Sequence, residues 1–414
     1  MNAKRLTLLV TAGLMVTGCG VTADVLHSGT ATSTHAAGAT DSLTRTNAAA
    51  APTTTPTAVP AATAPPVAAT APPPPPSVIV VANELSSGPT IQVALVTSNG
   101  VVLASTQVPQ DARWTIANGP RAAYWVTGGR LQSLNEHGAV TTLATVPRTE
   151  SGRVVISPDG SQWAYPTTST NPKTNIITNG IYRGGIGQPA RLIAERTADP
   201  THPDADMPTQ WQYYLMSWTA EGILVERQPR GGCGCGTPFD MQMTATSTAF
   251  INSVTGIAKP LGSSNSCPLS GVSSDGTQAC FRTTSTGASD SIRVVNGTQT
   301  YQYALSGRND GGAATFNGST LAYATVPSTA GGCGAPDWRP QTTLHVMDIR
   351  TGDAISVGRT GLAPVAWLPD GSILATLSVR HANGATTSSV VAVDPVAGSV
   401  RTVFNQYFDV VGLA

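Results

Sequence analysis

Residues 156–165 read ISPDGSQWAY, and residues 367–376 read WLPDGSILAT. Each copy is an apolar run, a Pro-Asp-Gly turn, a polar residue and a second apolar run. Pro158 presets φ for the second turn position, Asp159 is suited to accept local backbone N–H bonds, and Gly160 enters the left-handed region at little steric cost. Such a turn joins two antiparallel strands through a short bulged loop. Set on its glycine, the pattern recurs as WTIANG, VVISPDG, SWTAEG, SGVSSDG, TFNG and VAWLPDG, ending at Gly119, Gly160, Gly222, Gly276, Gly318 and Gly371.

The intervals between these glycines, 41, 62, 54, 42 and 53 residues, straddle the ~40–50 of a four-stranded propeller blade, with the excess assigned to loop insertions. After five of the six glycines a small residue stands beside an aromatic or its substitute, as Ala123-Tyr124, Ala164-Tyr165, Cys280-Phe281, Ala322-Tyr323 and Ala375-Thr376, while the third copy, Val225-Glu226, is one residue out of step and weaker. A second hairpin recurs as LQSLNEHGAVTTLA, AFINSVTGIAKPLG, LHVMDIRTGDAISVG and VVAVDPVAGSVRTV, so each unit supplies four strands. Residues 78–108 read as the second, third and fourth strands of a blade that lacks its first, and QYFDVVGLA at 406–414 reads as a first strand left over. The sequence therefore predicts an all-β, seven-bladed propeller in which the C-terminal strand completes the N-terminal blade and removes an exposed edge. Six blades with unrelated terminal strands is the alternative.

SPDG followed by a small and an aromatic residue resembles the repeats of the TolB-like and WD-type propellers of bacterial envelope proteins. That resemblance covers about four fifths of the chain. It implies a propeller fold and a partner in the envelope, either another protein or a wall polymer, and is poor for function because unrelated activities share propellers. No Gly-x-Ser-x-Gly pentapeptide occurs, which removes a prolyl-oligopeptidase-type hydrolase from consideration.

The N-terminus MNAKRLTLLVTAGLMVTGCG carries Lys4 and Arg5 ahead of an apolar run too short for a spanning helix of ~20 residues, the pattern of an export signal. Val16-Thr17-Gly18-Cys19 resembles the lipobox of bacterial lipoproteins. This implies cleavage after residue 18, acylation of Cys19, and a lipid-anchored chain on the extracytoplasmic side of the cell membrane; two or more acyl chains make such an anchor stable. Residues 20–77 contain no aromatic side chain, Lys or Glu and run into APTTTPTAVPAATAPPVAATAPPPPPS. Too little apolar area is present there to offset the entropy of ordering. The expected organisation is thus a signal peptide at 1–18, a lipidated cysteine and disordered tether at 19–77 with an r.m.s. span of about 40 Å, and a propeller at 78–414.

Only 11% of residues are charged and the net charge is zero, which gives no footprint for nucleic acid or an anionic membrane surface. Membrane contact is therefore expected through the lipid alone. A propeller glycosidase would need paired carboxylates at the central pocket. Glu84, Asp199, Asp204, Asp206, Asp240, Asp310 and Asp337 supply carboxylates, yet no strand or helix fixes the separation of any pair, and solvated loop acids are the favoured reading. HPDAD, with His202, Asp204 and Asp206, lacks the glycine turn and bidentate Glu of a calcium loop. No metal or cofactor is expected, and isolated His137, His345 and His381 read as structural.

Trp218 and Trp367 stand four residues before their glycines, a repeated core position, and Trp114 reads the same way. Trp338 lies in GGCGAPDWRP, an insertion without a repeat partner, so Asp337, Trp338 and Arg339 are the candidate partner-binding residues. Cys280 fills a small-residue slot and is expected as a buried free thiol. Cys233, Cys235, Cys267 and Cys333 are the candidate disulfide cysteines, with Cys267 joined to Cys233 or Cys235; zinc is the less favoured alternative in an oxidising compartment. The functional expectation is a binding or scaffolding module, its contact surface formed by insertions at 228–241 and 327–341 and the connection at 197–210. The opposed expectation is a polysaccharide-active hydrolase or lyase.

Overall fold

The computed structural model describes residues 77–83, 88–146, 152–198, 211–229, 247–261, 267, 269–273, 275–284, 288–305, 309–330, 337–405 and 409–414. These residues form seven antiparallel four-stranded sheets. The sheet that closes the ring combines β1 (Val78–Ala82), β2 (Thr90–Thr97) and β3 (Val102–Pro109) with β28 (Asp409–Leu413). β28 lies against β1 with Ile79 opposite Leu413 and Ala82 opposite Asp409. The other six sheets follow in chain order: β4–β7 (117–145), β8–β11 (155–198), β12–β15 (211–260), β16–β19 (269–304), β20–β23 (309–357) and β24–β27 (362–404). The predicted seven blades and the completed first blade are both present. No described helix is long and apolar enough to cross a membrane.

The SPDG turn forms as its residue types dictate. Gly160 N–H donates to the Ser157 carbonyl at 2.8 Å, and Gly160 takes φ +72°, where a side chain would be strained. Asp159 Oδ1 accepts from Ser157 Oγ and Ser161 N–H, and Oδ2 accepts from Ser161 Oγ. Those bonds hold its carboxyl down at about 2. The first copy differs from its expected form: Gly119 is not left-handed, and Arg121 takes φ +51° in its place. A Cβ on Gly119 would come within 2.9 Å of Ile156 in the next blade, so glycine is needed there for close approach.

Apolar burial is organised by seams between blades. Seven clusters of buried side chains occur among the described residues, one at each junction of adjacent blades. Strand alternation explains this: odd and even positions of one strand serve opposite seams. In β1, Val78, Val80 and Ala82 face the second blade, while Ile79 and Val81 face the seventh. Trp125, Trp163 and Trp211 are the largest fully buried side chains, each contributing on the order of 3 kcal/mol by leaving water. The seam between blades 4 and 5 is the leanest among the described residues, with Leu224, Phe250 and Leu269 as its buried members.

Three sequence expectations are overturned. Trp114 is 64% exposed under the Arg113 guanidinium, because the chain forms a 3-10 turn over Gln110–Thr115 and presents the ring to solvent. Cys280 is not a free thiol. It forms a disulfide with Cys267, Cα–Cα 5.2 Å. The cause is register: β16 (Leu269–Val272) pairs with β17 (Gln278–Thr283) so that Leu269 lies opposite Cys280, which brings Cys267 within bonding reach. The expected link from Cys267 to Cys233 or Cys235 is therefore replaced by one within a single hairpin.

Candidate functional site: an axial pocket bearing arginine

The innermost strands of the seven blades are β28, β4, β8, β12, β16, β20 and β24. Four of them, β28, β4 (Ala117–Gly119), β8 (Val155–Ile156) and β12 (Trp211–Thr219), contribute to a cavity of about 450 Å³. Its polar lining is Asn118, Arg121, Arg153, Ser157 and Ser217, with Trp218, Met216 and Leu413 as apolar wall. That volume and mixture suit a small ligand oriented by a few polar groups. Because Gly119, Ser157, Trp218 and Leu413 stand at the ends of their inner strands, the pocket lies toward the face that carries the turns between first and second strands. The described strand ends that flank the insertions expected to form the contact surface, Ala198, Pro229 and Pro327, lie toward the opposite face.

Two arginines set the charge of this pocket, and they differ. Arg121 bonds Glu136 through Nε at 2.8 Å and through Nη2, which holds the Glu136 carboxyl below its usual range. Its charge is answered. Arg153 donates from Nη2 to the Val411 carbonyl at 3.0 Å and meets no carboxylate among the described residues. Asn118 Nδ2 similarly donates to the Leu413 carbonyl at 2.6 Å. Both side chains are thereby fixed to β28, and no side chain lining the cavity, which also includes Ala414, is acidic. The arrangement can bind and orient a negatively charged group beside the Trp218 ring.

Trp218 thus has two roles, since it also packs against the apolar seam between blades 3 and 4. Trp367 packs on the seam between blades 6 and 7 and donates Nε1–H to the Thr315 carbonyl at 3.2 Å. Asp337, Trp338 and Arg339 lie at the loop joining the second and third strands of blade 6, all half-buried. Asp337 Oδ1 accepts the Arg339 backbone N–H at 3.1 Å, and its carbonyl accepts Arg380 Nη2 at 2.5 Å. Arg380 ends β25 (Ile373–Arg380), so this loop is strapped to blade 7. The three residues are far along the chain from the axial pocket's lining and contribute nothing to it.

Of the acids considered from sequence, Asp310 is buried and accepts Ser289 Oγ at 3.1 Å across a blade junction. Glu84, Asp199, Asp204, Asp206 and Asp240 lie outside the described residues, as do His202, Cys19, Cys233, Cys235 and Cys333. Among the described residues no three His, Cys, Asp or Glu side chains gather as a metal ion requires. His345 stacks on Tyr323 with ring centroids 4.9 Å apart and shares a hydrogen bond with Thr325 Oγ1 at 2.8 Å; burial holds its pKa down.

Glu226, in the out-of-step repeat copy, carries no site signal in the sequence. It is 5% exposed at the seam between blades 4 and 5, and burial pushes its carboxyl up to about 7, against the pull of a 3.0 Å bond from Gln228 Nε2. It belongs to a wider pattern of buried polar groups at the ends of second strands and starts of third strands. Thr168 bonds Asn179, which reaches the Trp211 carbonyl of the next blade; Ser289 Oγ accepts Gly311 N–H of the next blade; Ser378 pairs with Ser388. These groups sit toward the insertion face, in blades 3 to 7.

No protein-family model matches the chain, and no curated protein sequence matches it. Among solved structures it is similar to an acylaminoacyl peptidase of Pyrococcus horikoshii, at 8% identity and TM-score 0.49 over 80% of this chain and 50% of that one. It thus spans half the length of that peptidase. A periplasmic gluconolactonase of Pseudomonas aeruginosa aligns at 16% identity and TM-score 0.44, over 82% of this chain and 100% of the other. The β-propeller domain of the trilobed protease from Pyrococcus furiosus aligns at 10% identity and TM-score 0.33, over 80% of this chain and 99% of that domain. What these proteins share with the chain is the propeller; their chemistry is their own.

Proposed function

We propose that the chain is a lipid-anchored, extracytoplasmic binding module of the cell envelope, held at Cys19 by acyl groups and carried on the segment before Val78. Its ligand is an acidic component of that envelope, a carboxylate-bearing wall unit or peptide, seated in the axial pocket. The observation that carries this reading is Arg153: a guanidinium fixed by the Val411 carbonyl, without a carboxylate among the described residues, in a cavity of about 450 Å³ walled by Trp218. A charge-assisted bond from a positioned arginine recognises carboxylate geometry, and the indole supplies an apolar face for a sugar or side chain. A protein partner would be met on the other face, where Asp337, Trp338 and Arg339 are half-exposed.

The test is calorimetric titration of the full chain in detergent with N-acetylmuramic acid, which carries a carboxylate, and with N-acetylglucosamine, which does not. Selective binding of the acid is expected, and Arg153→Gln should weaken it by about tenfold, the usual worth of one charged contact. Equal binding of both sugars, or an unaffected Arg153→Gln variant, overturns the axial assignment. The enzyme alternative requires carboxylates at the channel. Turnover of a wall polysaccharide that is abolished by changing Glu84, Asp199, Asp204, Asp206 or Asp240 would establish it in place of the binding module.

A further inference from the structure

On the turn-bearing face, separate from the axial pocket, a second cavity of about 620 Å³ opens on blade 3. Ser161, Gln162, Arg183, Gly184, Gln188 and Arg191 belong to its lining. The SPDG turn at 157–160 stands between the two cavities, with Pro158 lining one and Ser161 the other. Asp159, the acid in that turn, is already committed to Ser157 and Ser161.

Two features of this cavity call for an anion. Arg183 of β10 (Ile177–Gly185) and Arg191 of β11 (Arg191–Ala198) lie directly opposite each other in the antiparallel ladder, a placement in which like charges repel. Arg183 is positioned rather than loose: Nε donates to Gln162 Oε1 at 2.7 Å, and Nη1 donates to the Ser253 carbonyl of the next blade at 2.9 Å. Partial burial, and then the charge of Arg191, hold its pKa below the usual guanidinium value. Neither arginine meets a carboxylate among the described residues.

We infer that this cavity is a binding site for a phosphate-class oxyanion, taken between the guanidinium groups of Arg183 and Arg191. A free phosphate dianion answers both cations at once, whereas each unit of a phosphodiester polymer brings a single charge. The several acceptor oxygens of a phosphate match guanidinium forks that a single carboxylate would not saturate. The group recognised is the phosphate itself, whether free or as the repeating unit of a phosphodiester polymer. The site shares no residue with the axial pocket and stands or falls independently of it.

Titration of the full chain in detergent with inorganic phosphate, followed by calorimetry at low ionic strength, tests the site. Saturable binding is expected. Arg191→Gln, an exposed position where folding is not at stake, should weaken it by at least about tenfold and, without phosphate, should raise the melting temperature because a repulsive pair is gone. Arg350→Gln removes the same charge elsewhere and should leave phosphate affinity unchanged. Displacement of phosphate by a glycerol-phosphate oligomer at lower total phosphate would assign the site to a polymer; displacement by no oligomer would assign it to the free ion. Absence of saturable binding, or equal losses in Arg191→Gln and Arg350→Gln, overturns the inference.

Discussion

Glu226 shows what one side chain can impose on this fold. In the unfolded chain its carboxyl titrates near the ordinary value of 4.5, and in the folded blade near 7, because burial disfavours the charged form. Below about pH 4.5 both states are protonated and the group costs nothing. As pH rises from there the unfolded chain releases its proton first, so stability declines until about pH 7, above which the folded group ionises too and the loss is complete. The difference is on the order of 3 kcal/mol. Glu226→Gln keeps the bond partner Gln228 within reach and carries no charge. Its thermal unfolding should match the parent at pH 4.5 and exceed it clearly at pH 8; identical pH profiles would refute the assignment. Nothing in LVERQP distinguishes this acid from a solvated one, since its burial depends on a neighbouring blade forty residues further along the chain.

The hairpin is the scale at which sequence and structure agree best. A β-turn of Ser157-Pro158-Asp159-Gly160 with φ +72° at glycine is local chemistry, and alternation of apolar residues along a strand is a local pattern, so both are readable before folding. The cysteines show where that legibility ends. By analogy with Ala123, Ala164, Ala322 and Ala375, Cys280 looks like a packing residue, and its partner is revealed only by the register of β16 against β17. The bridge closes a separation of 13 residues, for which chain entropy gives about 3 kcal/mol. A Cys267→Ser, Cys280→Ser double variant should lose about that much in denaturant unfolding, and reducing agent should bring the parent to the same midpoint. A reductant-insensitive parent would argue that the bridge does not form. The arginine pair on β10 and β11 escaped notice for a related reason: Arg183 and Arg191 are eight positions apart in sequence, and their juxtaposition depends on a bulge in the ladder near Ile181.

At the scale of the whole molecule, stability is divided among seven seams and one closure. Each seam buries its own apolar cluster, and among the described residues no cluster spans the ring, so a blade is secure only while both neighbours are present. The closing strand β28 has a special position: it pairs with β1, contributes Val410 and Leu413 to the seam with blade 7, and accepts hydrogen bonds from Asn118 and Arg153 of blades 2 and 3. Truncation after Asn405 should therefore expose the free edge of β1, empty one wall of the axial pocket and shift the protein toward aggregates on size exclusion. A truncated chain that stays monomeric with an unchanged melting temperature would contradict the closure. The placement of the axial cavity was beyond sequence reasoning because its lining comes from several blades, and that of the second because it depends on strand register within blade 3. The expected contact face drew attention to long insertions, whereas the described cavities with unanswered positive charge open where the turns are shortest.

β1 is hydrogen-bonded on both sides, to β2 and to β28, and it is the strand from which the chain leads back toward residue 1. Any pull arriving through Ser77 is directed along a strand gripped by two ladders, so it must shear many bonds together rather than peel them one at a time. A propeller whose first strand lay at an edge would unzip under the same load. Ring closure here thus doubles as a mechanical anchor point, which would suit the lipid-anchored module proposed above.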